Sequence, residues 1–322
     1  MKRFWFLYLC LPIIISACTP TLQEAPTSVV MPSETPTNSP TLPPPTEPPP
    51  TATNTPAPTP TITPLPGSEV TPIDSLGKDI PWLPLDEERR PMSIYYGFNM
   101  DKPPFNDVLV RKAFAAATNR EEIVAFVADY YFREAEPATT ITPTSVLGRN
   151  LYRDIGIPFD PEQAKAYLAE AGYTDTGSFP IVKLLVYQRG EAAPSSYYRL
   201  AEDVIVPMWE TNLGVTVEVE VFPERLSQYA AEIDTTQPDL YILGWGGDQV
   251  DPDNFLRELF FSESDFNFGG FSNPTFDNLV VAAANSNDPA ERQLMYMDAE
   301  RILTEEEVGV IPLFHSLYYV GK

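Results

Sequence analysis

The chain has 322 residues, of which 45 are acidic and 21 are basic, and its formal net charge is −24. So acidic a chain argues against non-specific nucleic-acid binding, which relies on a basic surface to neutralise phosphates, and no nucleic-acid partner is expected. The length is sufficient for two domains. The acidity fits a soluble exported domain that accepts a cationic or amine-bearing ligand, but the charge by itself favours a role in solubility alone.

The first 18 residues have the pattern of a secretory signal. Lys2 and Arg3 precede an apolar run at residues 4–15, which is shorter than the roughly 20 residues that a membrane-spanning helix needs. The segment ends in Ile-Ser-Ala-Cys, which resembles a bacterial lipobox, and this resemblance implies cleavage before Cys18 and lipidation of its thiol. A plain signal peptide with an incidental cysteine is the alternative. Cys10 leaves with the signal, so the mature chain is predicted to have no free thiol and no disulfide.

Residues 19–66 hold 16 prolines and 13 threonines, and they contain neither lysine nor arginine. They bury too little apolar surface to offset chain entropy, which predicts a disordered linker without a packed core. The proline content favours extended polyproline II at about 3.1 Å per residue, so the linker can hold a domain on the order of 100 Å from its anchor. The predicted organisation is a signal peptide at 1–18, a linker at 19–66 and a folded domain at 67–322.

After an irregular lead-in at 67–92, the folded part is predicted to begin with a strand at 93–99 that is rich in Ile, Tyr and Phe. Asn106 or Asp107 can cap a first helix, whose apolar face includes Val110, Ala113, Phe114 and Ala117. Asn119 followed by Glu122 has the form of a capping box for a second helix through residue 127.

Residues 133–158 are predicted to form a long loop. A helix then starts at Asp160-Pro161, with Ala164, Leu168 and Ala171 on one face, and stops at Gly172.

The second half of the folded part alternates predicted strands with predicted helices. Strands are expected at 181–187 and 215–221, and one or two closing strands at 310–320; helices are expected at 197–212, 224–233, 277–285 and 289–306. Pro207 predicts a kink or a boundary within its helix. A polar and aromatic loop is expected at 262–275. This alternation predicts an α/β domain with a mixed sheet.

A candidate site lies in the stretch DLYILGWGGDQVDPDNFL at residues 239–256. Its apolar run at 240–243 predicts a buried strand, which the glycines at 244, 246 and 247 are expected to stop. Trp245 and three carboxylates follow, Asp248, Asp251 and Asp253. A strand that ends in a Gly-rich, aromatic and acidic loop is typical of a binding site. A strand-to-helix turn, with Asp251 or Asp253 capping a helix near Asn254, explains the local pattern equally well.

Six separate stretches resemble one known family. They are, in order, YYGFNMDKPPFNDVLVRKAF, NREEIV, FDPEQAKAYLAEAGY, DLYILGWGGDQVDPDNFL, FSNPTFDNLV and VGVIPLFH. Together they resemble the extracellular solute-binding proteins that serve oligopeptide, dipeptide and nickel ABC transporters, from about Ile94 to about His315. The resemblance implies a periplasmic-binding-protein-like lobe with a mixed sheet flanked by helices. It also implies a protein that captures peptides or similar solutes for an importer, without enzymatic activity.

The resemblance assigns the candidate site to the ligand cleft. In oligopeptide-binding members the aspartate of the GW-x-x-D segment pairs with the free α-amino group of the ligand, and Asp248 has that position here. Trp245 corresponds to a wall of the cleft, where it can add apolar cover or a cation–π contact, and the loop after it often lines the cleft. The expected ligand-binding residues are Trp245, Gly246, Asp248, Asn267, Phe268 and Phe271.

The chain departs from the family before residue 93. Family members have a long N-terminal portion that builds most of the first lobe, and the predicted linker stands in that position here. The chain is therefore expected to hold the second lobe and the return segment. The expected partners are a small ligand, permease subunits, a separately encoded first lobe and, through the lipid, the outer face of the cell membrane. The alternative is a surface lipoprotein without a transport role, either a scaffold or adhesin or a degenerate remnant.

Catalytic and metal-binding alternatives have less support in the sequence. His315 is the only histidine and sits beside Phe314 in an apolar strand, which favours a structural role. Asp248, Asp251 and Asp253 lie in one loop, whereas a glycosidase pair needs two carboxylates facing each other across a sugar. The same segment lacks the Gly and Glu that an EF-hand loop requires. We therefore predict no catalytic residue, metal or cofactor.

Overall fold

A computed structural model describes residues 89–131, 134–147, 154–188, 196–222 and 226–319. All of them belong to the second of the two units into which the chain divides, Thr61–Lys322. The predicted signal peptide, Cys18 and the linker at 19–66 lie outside the described residues. Within the described ranges, no helix has both the length and the apolar character needed to cross a membrane.

The centre of the domain is a six-stranded mixed sheet in the order β2-β6-β1-β5-β3-β4. The strands are β1 (Arg89–Phe98), β2 (Ala135–Pro137), β3 (Val182–Tyr187), β4 (Val217–Phe222), β5 (Leu240–Gly246) and β6 (Val310–Tyr319). Strand β3 pairs in parallel with β4 and β5, and the remaining pairs are antiparallel. The predicted mixed α/β fold is therefore confirmed.

Helices surround this sheet. In the described residues they are α1 (Val108–Ala116), α2 (Arg120–Tyr131), α3 (Thr144–Leu147), α4 (Pro161–Glu170), α5 (Ser196–Leu200), α6 (Val206–Leu213), α7 (Leu226–Thr236), α8 (Arg257–Phe260), α9 (Pro274–Asn285) and α10 (Pro289–Arg301). A π-helical turn, Ala201–Ile205, joins α5 to α6 just before Pro207, so the predicted boundary in this helix is confirmed. A second π-helical turn, Ile302–Glu306, follows α10.

Local side chains set several helix ends as predicted. The carboxylate of Asp107 accepts a hydrogen bond from Leu109 N at 2.8 Å at the start of α1. Asp160 accepts one from Gln163 N at 3.0 Å, and Pro161 occupies the first turn of α4. Gly172 follows α4 with a φ of +96°, a conformation that glycine adopts without a Cβ clash. Short-range chemistry is sufficient to define these boundaries.

Both faces of the sheet are buried. On one face, residues such as Tyr96, Leu184 and Ile242 form a core with helices α1, α2, α4 and α6. On the other face, Tyr95 packs against α8, α9 and α10, and Tyr241 packs against α7. The sheet therefore lies between two helical layers, which leaves its strand ends available for a site.

Two expectations about local structure are wrong. The loop predicted at 133–158 contains β2 and α3, because a three-residue strand that pairs with distant β6 leaves almost no local signal.

The glycines do not stop β5, which continues through Gly244 and Trp245 to Gly246 and pairs with β1 over its whole length. A Cβ on Gly244 would lie 2.6 Å from the Tyr197 hydroxyl and 2.7 Å from Ile94 Cδ1. Glycine is needed there for close approach of neighbouring side chains.

The last helices and the closing strand are of the predicted types, but their first and last residues differ from the prediction. A single strand, β6, closes the sheet, where one or two were expected. Helix α9 begins at Pro274 after the cap Asn273, whose side chain accepts from Thr275 N and Phe276 N.

Candidate functional site

The candidate site lies at the side of the sheet that is formed by the carboxyl ends of its parallel strands, which we call the edge of the sheet. Strands β3, β4 and β5 run in the same direction, so their carboxyl ends share one edge. In open α/β sheets this edge is the usual location of ligand sites. Trp245 and Gly246 are the last residues of β5, and Gly247 N donates to Pro91 O at 2.9 Å. Asp248 follows directly and its residue surface is exposed.

Trp245 is half-buried and its orientation is determined by two contacts. Its indole Nε1 donates to the carbonyl oxygen of Asn254 at 2.9 Å. Its ring meets the ring of Phe266 edge-on, with 5.1 Å between the centroids and 61° between the planes. The indole therefore lies at the strand end with one side packed against the protein.

Asn254 joins the two predicted cleft residues. Besides accepting from Trp245 through its main chain, it accepts from Asp248 N through Oδ1 at 3.0 Å, and its amide donates to the Glu258 carboxylate. The residue is buried. Sequence reasoning considered it only as a helix start, because no local pattern shows that an amide bonds back across the turn.

The three aspartates of the turn have different partners. Asp251 caps the 3₁₀ turn Pro252–Asn254 and pairs with Arg292, whose Nη1 and Nη2 lie 2.8 Å and 2.7 Å from its two oxygens. Asp253 binds Arg257 and accepts from the Tyr296 hydroxyl at 2.9 Å. Hydrogen bonds to these carboxylates raise the pKa of Arg292 and of Arg257. The predicted cap near Asn254 is therefore Asp251, whereas Asp253 lies within the turn and binds side chains of later helices.

Asp248 differs from its neighbours. Among the residues that the structure describes, its carboxylate has no ion pair and no hydrogen bond. Its main-chain N donates to Asn254 Oδ1, and the residue is exposed just after the end of β5. Such a group is free to bind a cation without first breaking an internal pair.

The loop between α8 and α9 extends along β5, and its residues have different environments. Asn267 bonds through its side chain to Phe271 N at 3.0 Å and Phe271 O at 2.7 Å, which closes the loop. Phe268 lies edge-on to Tyr241, near the start of β5. Phe271 is 3% exposed and packs on Phe276. The ligand contacts expected of Asn267, Phe268 and Phe271 stay predictions.

Asn267 and Phe268 line a depression of about 460 Å³ with Asp101 and Gln237. Since β1 and β5 are antiparallel and Met100 N donates to Gly269 O at 3.1 Å, this depression lies toward the start of β5. Asp248 follows the other end of that strand. The loop residue that reaches Trp245 is instead Phe266, which sequence reasoning did not single out.

His315 is buried inside the sheet. Its Nε2 lies 2.9 Å from Thr140 O, and its Nδ1 lies 3.6 Å from Glu136 Oε1 across the β2–β6 pair. These contacts hold the segment after β2 against the sheet, which fits the structural role predicted for this histidine. In the described part of the chain, no group of three or more His, Cys, Asp or Glu side chains is arranged to hold a metal ion.

A family model and several curated proteins match this chain. The family "Bacterial extracellular solute-binding proteins, family 5 Middle" matches residues 35–267. Heme-binding protein A of Haemophilus influenzae is 30% identical over 74% of this chain and 42% of its own length. The periplasmic oligopeptide-binding protein OppA of Salmonella typhimurium is 30% identical over 70% of this chain and 39% of its own length.

Solved structures agree on the fold. A periplasmic oligopeptide-binding protein from Borrelia burgdorferi, 26% identical, superposes with a TM-score of 0.57 over 73% of this chain and 45% of its own. A peptide-binding protein of a peptide ABC transporter has a TM-score of 0.56 at 21% identity over 70% of this chain, and it is covered over 99% of its length. This chain spans about two fifths of the length of the two curated relatives. By its sequence match and its fold, the chain belongs to the bacterial extracellular solute-binding proteins of family 5.

Proposed function

We propose that this chain is the ligand-binding lobe of a substrate-binding lipoprotein of an ABC importer, and that it captures peptides or similar amine-bearing solutes outside the cell. The observation that carries the proposal is the carboxylate of Asp248. Within the described residues it is the one aspartate of its turn that lacks an ion pair, whereas Asp251 and Asp253 bind arginines. Asp248 follows the end of β5, and Asn254 binds both its main-chain N and the half-buried indole of Trp245.

In this proposal Asp248 binds the ligand's ammonium group. A single exposed pair of this kind is worth little in water, about 0–1 kcal/mol. When a second lobe covers the edge and excludes water, the same pair becomes stronger, because the effective dielectric falls. Trp245 adds apolar surface or a cation–π contact on one side of the bound group. Affinity therefore depends on closure as well as on the carboxylate.

The closing lobe belongs to the proposal as well. The chain covers only 42% and 39% of the two curated relatives, so we propose that a separately encoded first lobe completes the cleft. We further propose that lipidated Cys18 anchors the protein at the outer face of the membrane, where permease subunits receive the ligand. One solved chain is matched over 99% of its own length by 70% of this chain. This match supports the proposal that the lobe can exist as a separate chain.

A calorimetric titration of the mature chain, combined with the co-expressed first lobe that closes the cleft, with a mixture of short peptides tests the proposal. We expect binding by the wild-type protein, and a loss of about 30-fold or more in affinity for Asp248→Asn, since removing one partner of a desolvated charge pair costs about 2–5 kcal/mol. Asp129→Asn, at an exposed position on α2, removes the same charge elsewhere and should leave affinity unchanged.

Three outcomes of this titration contradict the proposal in different ways. Peptide affinity that is unaffected by Asp248→Asn removes the role of the carboxylate. Binding of heme without binding of peptide points to the ligand for which one relative is named. Binding of neither ligand, with or without a co-expressed first lobe, supports the surface-lipoprotein alternative.

A further inference from the structure

Trp245 and Phe266 form an aromatic corner, and Asn254 connects its indole to the backbone of Asp248. Their rings meet edge-on at 5.1 Å between centroids, a favourable arrangement for two aromatic side chains. Phe266 is 41% exposed and Trp245 is half-buried, so the corner retains apolar surface that faces solvent. This surface lies at the edge of the sheet that carries the candidate site.

Hydrogen bonds of the backbone and of Ser264 hold the segment that carries Phe266, although the phenylalanine itself is exposed. Its main-chain N donates to Ser264 Oγ at 3.2 Å, and Ser264 Oγ in turn donates to Glu258 O on α8. Ser264 N donates to Phe261 O at 2.8 Å, and Asn267 N donates to Ser264 O at 3.1 Å. The backbone that carries the ring is therefore ordered before any ligand binds, which lowers the entropic cost of binding.

The same network reaches Asp248. Glu258, whose carbonyl accepts from Ser264, also accepts through its carboxylate from the amide of Asn254. Asn254 holds Asp248 N through Oδ1 at 3.0 Å and the Trp245 indole through its carbonyl at 2.9 Å. The backbone of Asp248, the backbone of Phe266 and the Trp245 indole are thus held in one hydrogen-bonded framework.

We propose that the aromatic corner selects the side chain next to the ligand's free amine, so that preferred ligands begin with an apolar or aromatic residue. This inference rests on the proposed function, in which Asp248 binds the amine. In an α-amino acid the amine and the side chain are attached to the same carbon, so a ligand held by its amine presents its first side chain close to the anchor. Covering exposed aromatic surface with an apolar group is favourable, whereas a small polar group gains little there.

Titrations with three tripeptides test the inference: Phe-Ala-Ala, Leu-Ala-Ala and Ser-Ala-Ala. We expect the wild-type chain to bind the first two about tenfold more tightly than the third, which is a reasonable range for discrimination by an apolar surface. Phe266→Ala should weaken Phe-Ala-Ala and Leu-Ala-Ala about fivefold and change Ser-Ala-Ala by less than about twofold. Phe266→Leu, which keeps an apolar side chain, should retain most of the preference.

The matched control is Phe159→Ala. Phe159 is 42% exposed, almost the same fraction as Phe266, but it precedes α4, which packs on the opposite face of the sheet from Trp245. This variant should keep the wild-type preference. Equal wild-type affinities for the three peptides overturn the inference while the proposed function stands, and so does an equal loss for all three in Phe266→Ala. A wild-type chain that binds none of them, alone or with the co-expressed first lobe, overturns both.

Discussion

Between about pH 4.5 and about pH 8, ionisation of Glu300 is expected to lower the free energy of unfolding of the wild-type protein by about 3 kcal/mol. Replacing Glu300 by glutamine is expected to abolish this decrease. Glu300 lies on α10 and is fully buried. Its carboxylate accepts from Ile141 N, and Thr142 contributes its hydroxyl at 2.8 Å and its N–H at 3.3 Å. Burial raises the pKa of Glu300 to about 7, although these hydrogen bonds lower it in part.

The direction of the effect follows from proton binding. Between the ordinary glutamate pKa and about pH 7, the folded protein keeps a proton on Glu300 while the unfolded chain has lost it. The contribution of Glu300 to the free energy of unfolding is therefore greatest at low pH and decreases as the pH rises toward 7. Above the folded-state pKa it no longer changes with pH. In the protonated state the Thr142 hydroxyl is the partner that can accept the carboxyl proton. Glutamine keeps a donor and an acceptor there and does not titrate.

Urea denaturation over this pH range, measured for both proteins, gives the difference directly. Glu306→Gln, at an exposed position in the turn after α10, controls for the loss of an acidic residue at the surface. If the free energy of unfolding changes with pH in the same way for wild type and Glu300→Gln, the prediction is contradicted.

Ser93 links this buried group to the candidate site, since its Oγ donates to Ile141 O at 2.5 Å and it lies opposite Trp245 across β1 and β5.

Trp209→Ala is expected to destabilise the domain by about 3–5 kcal/mol, because it leaves a large cavity in a close-packed core. Trp209 on α6 is completely buried. Its ring lies 5.3 Å from that of Tyr96 on β1 and 5.1 Å from that of Phe114 on α1. Its indole donates to Thr118 Oγ1 at 2.9 Å. One side chain thus joins the sheet to two helices.

Denaturation followed by far-ultraviolet circular dichroism measures this loss without relying on tryptophan emission. Trp209→Phe retains an aromatic ring and should cost less, about 1–2 kcal/mol, from a smaller cavity and one lost hydrogen bond. Phe159→Ala truncates an exposed aromatic residue and should have little effect. A Trp209→Ala protein within about 1 kcal/mol of wild type contradicts the prediction.

Several elements could be predicted because their signals are local. Asp107 and Asp160 cap helices through bonds to residues only two or three positions away. The apolar run of β5 was recognised as a buried strand and β3 as a strand for a similar reason, since each signal lies within a few consecutive residues. The end of β5 was not predictable in this way, because Gly244 and Trp245 are held in the strand by pairing with Ile94 and Ser93 of β1.

The candidate site combines local and long-range contributions. Trp245 and Asp248 were identified from a short motif, and its resemblance to a family supplied their proposed roles. The state of each aspartate depends on residues far along the chain, because Arg292 and Tyr296 on α10 engage Asp251 and Asp253. The loop between α8 and α9 was recognised as polar and aromatic, but which of its phenylalanines reaches Trp245 depends on how it folds over β5.

By itself the sequence determined the mixed α/β class, most of the helices and strands, the family, and the motif that carries Trp245 and Asp248. Those features depend on neighbouring residues or on ordered motifs. The tertiary structure alone decided that β5 extends through Gly246, that Phe271 is a core residue, and that Asp248 is left unpaired among the described residues while its neighbours are not. The physical reason is that hydrogen bonds, ion pairs and ring contacts between distant segments exist only after the chain has packed.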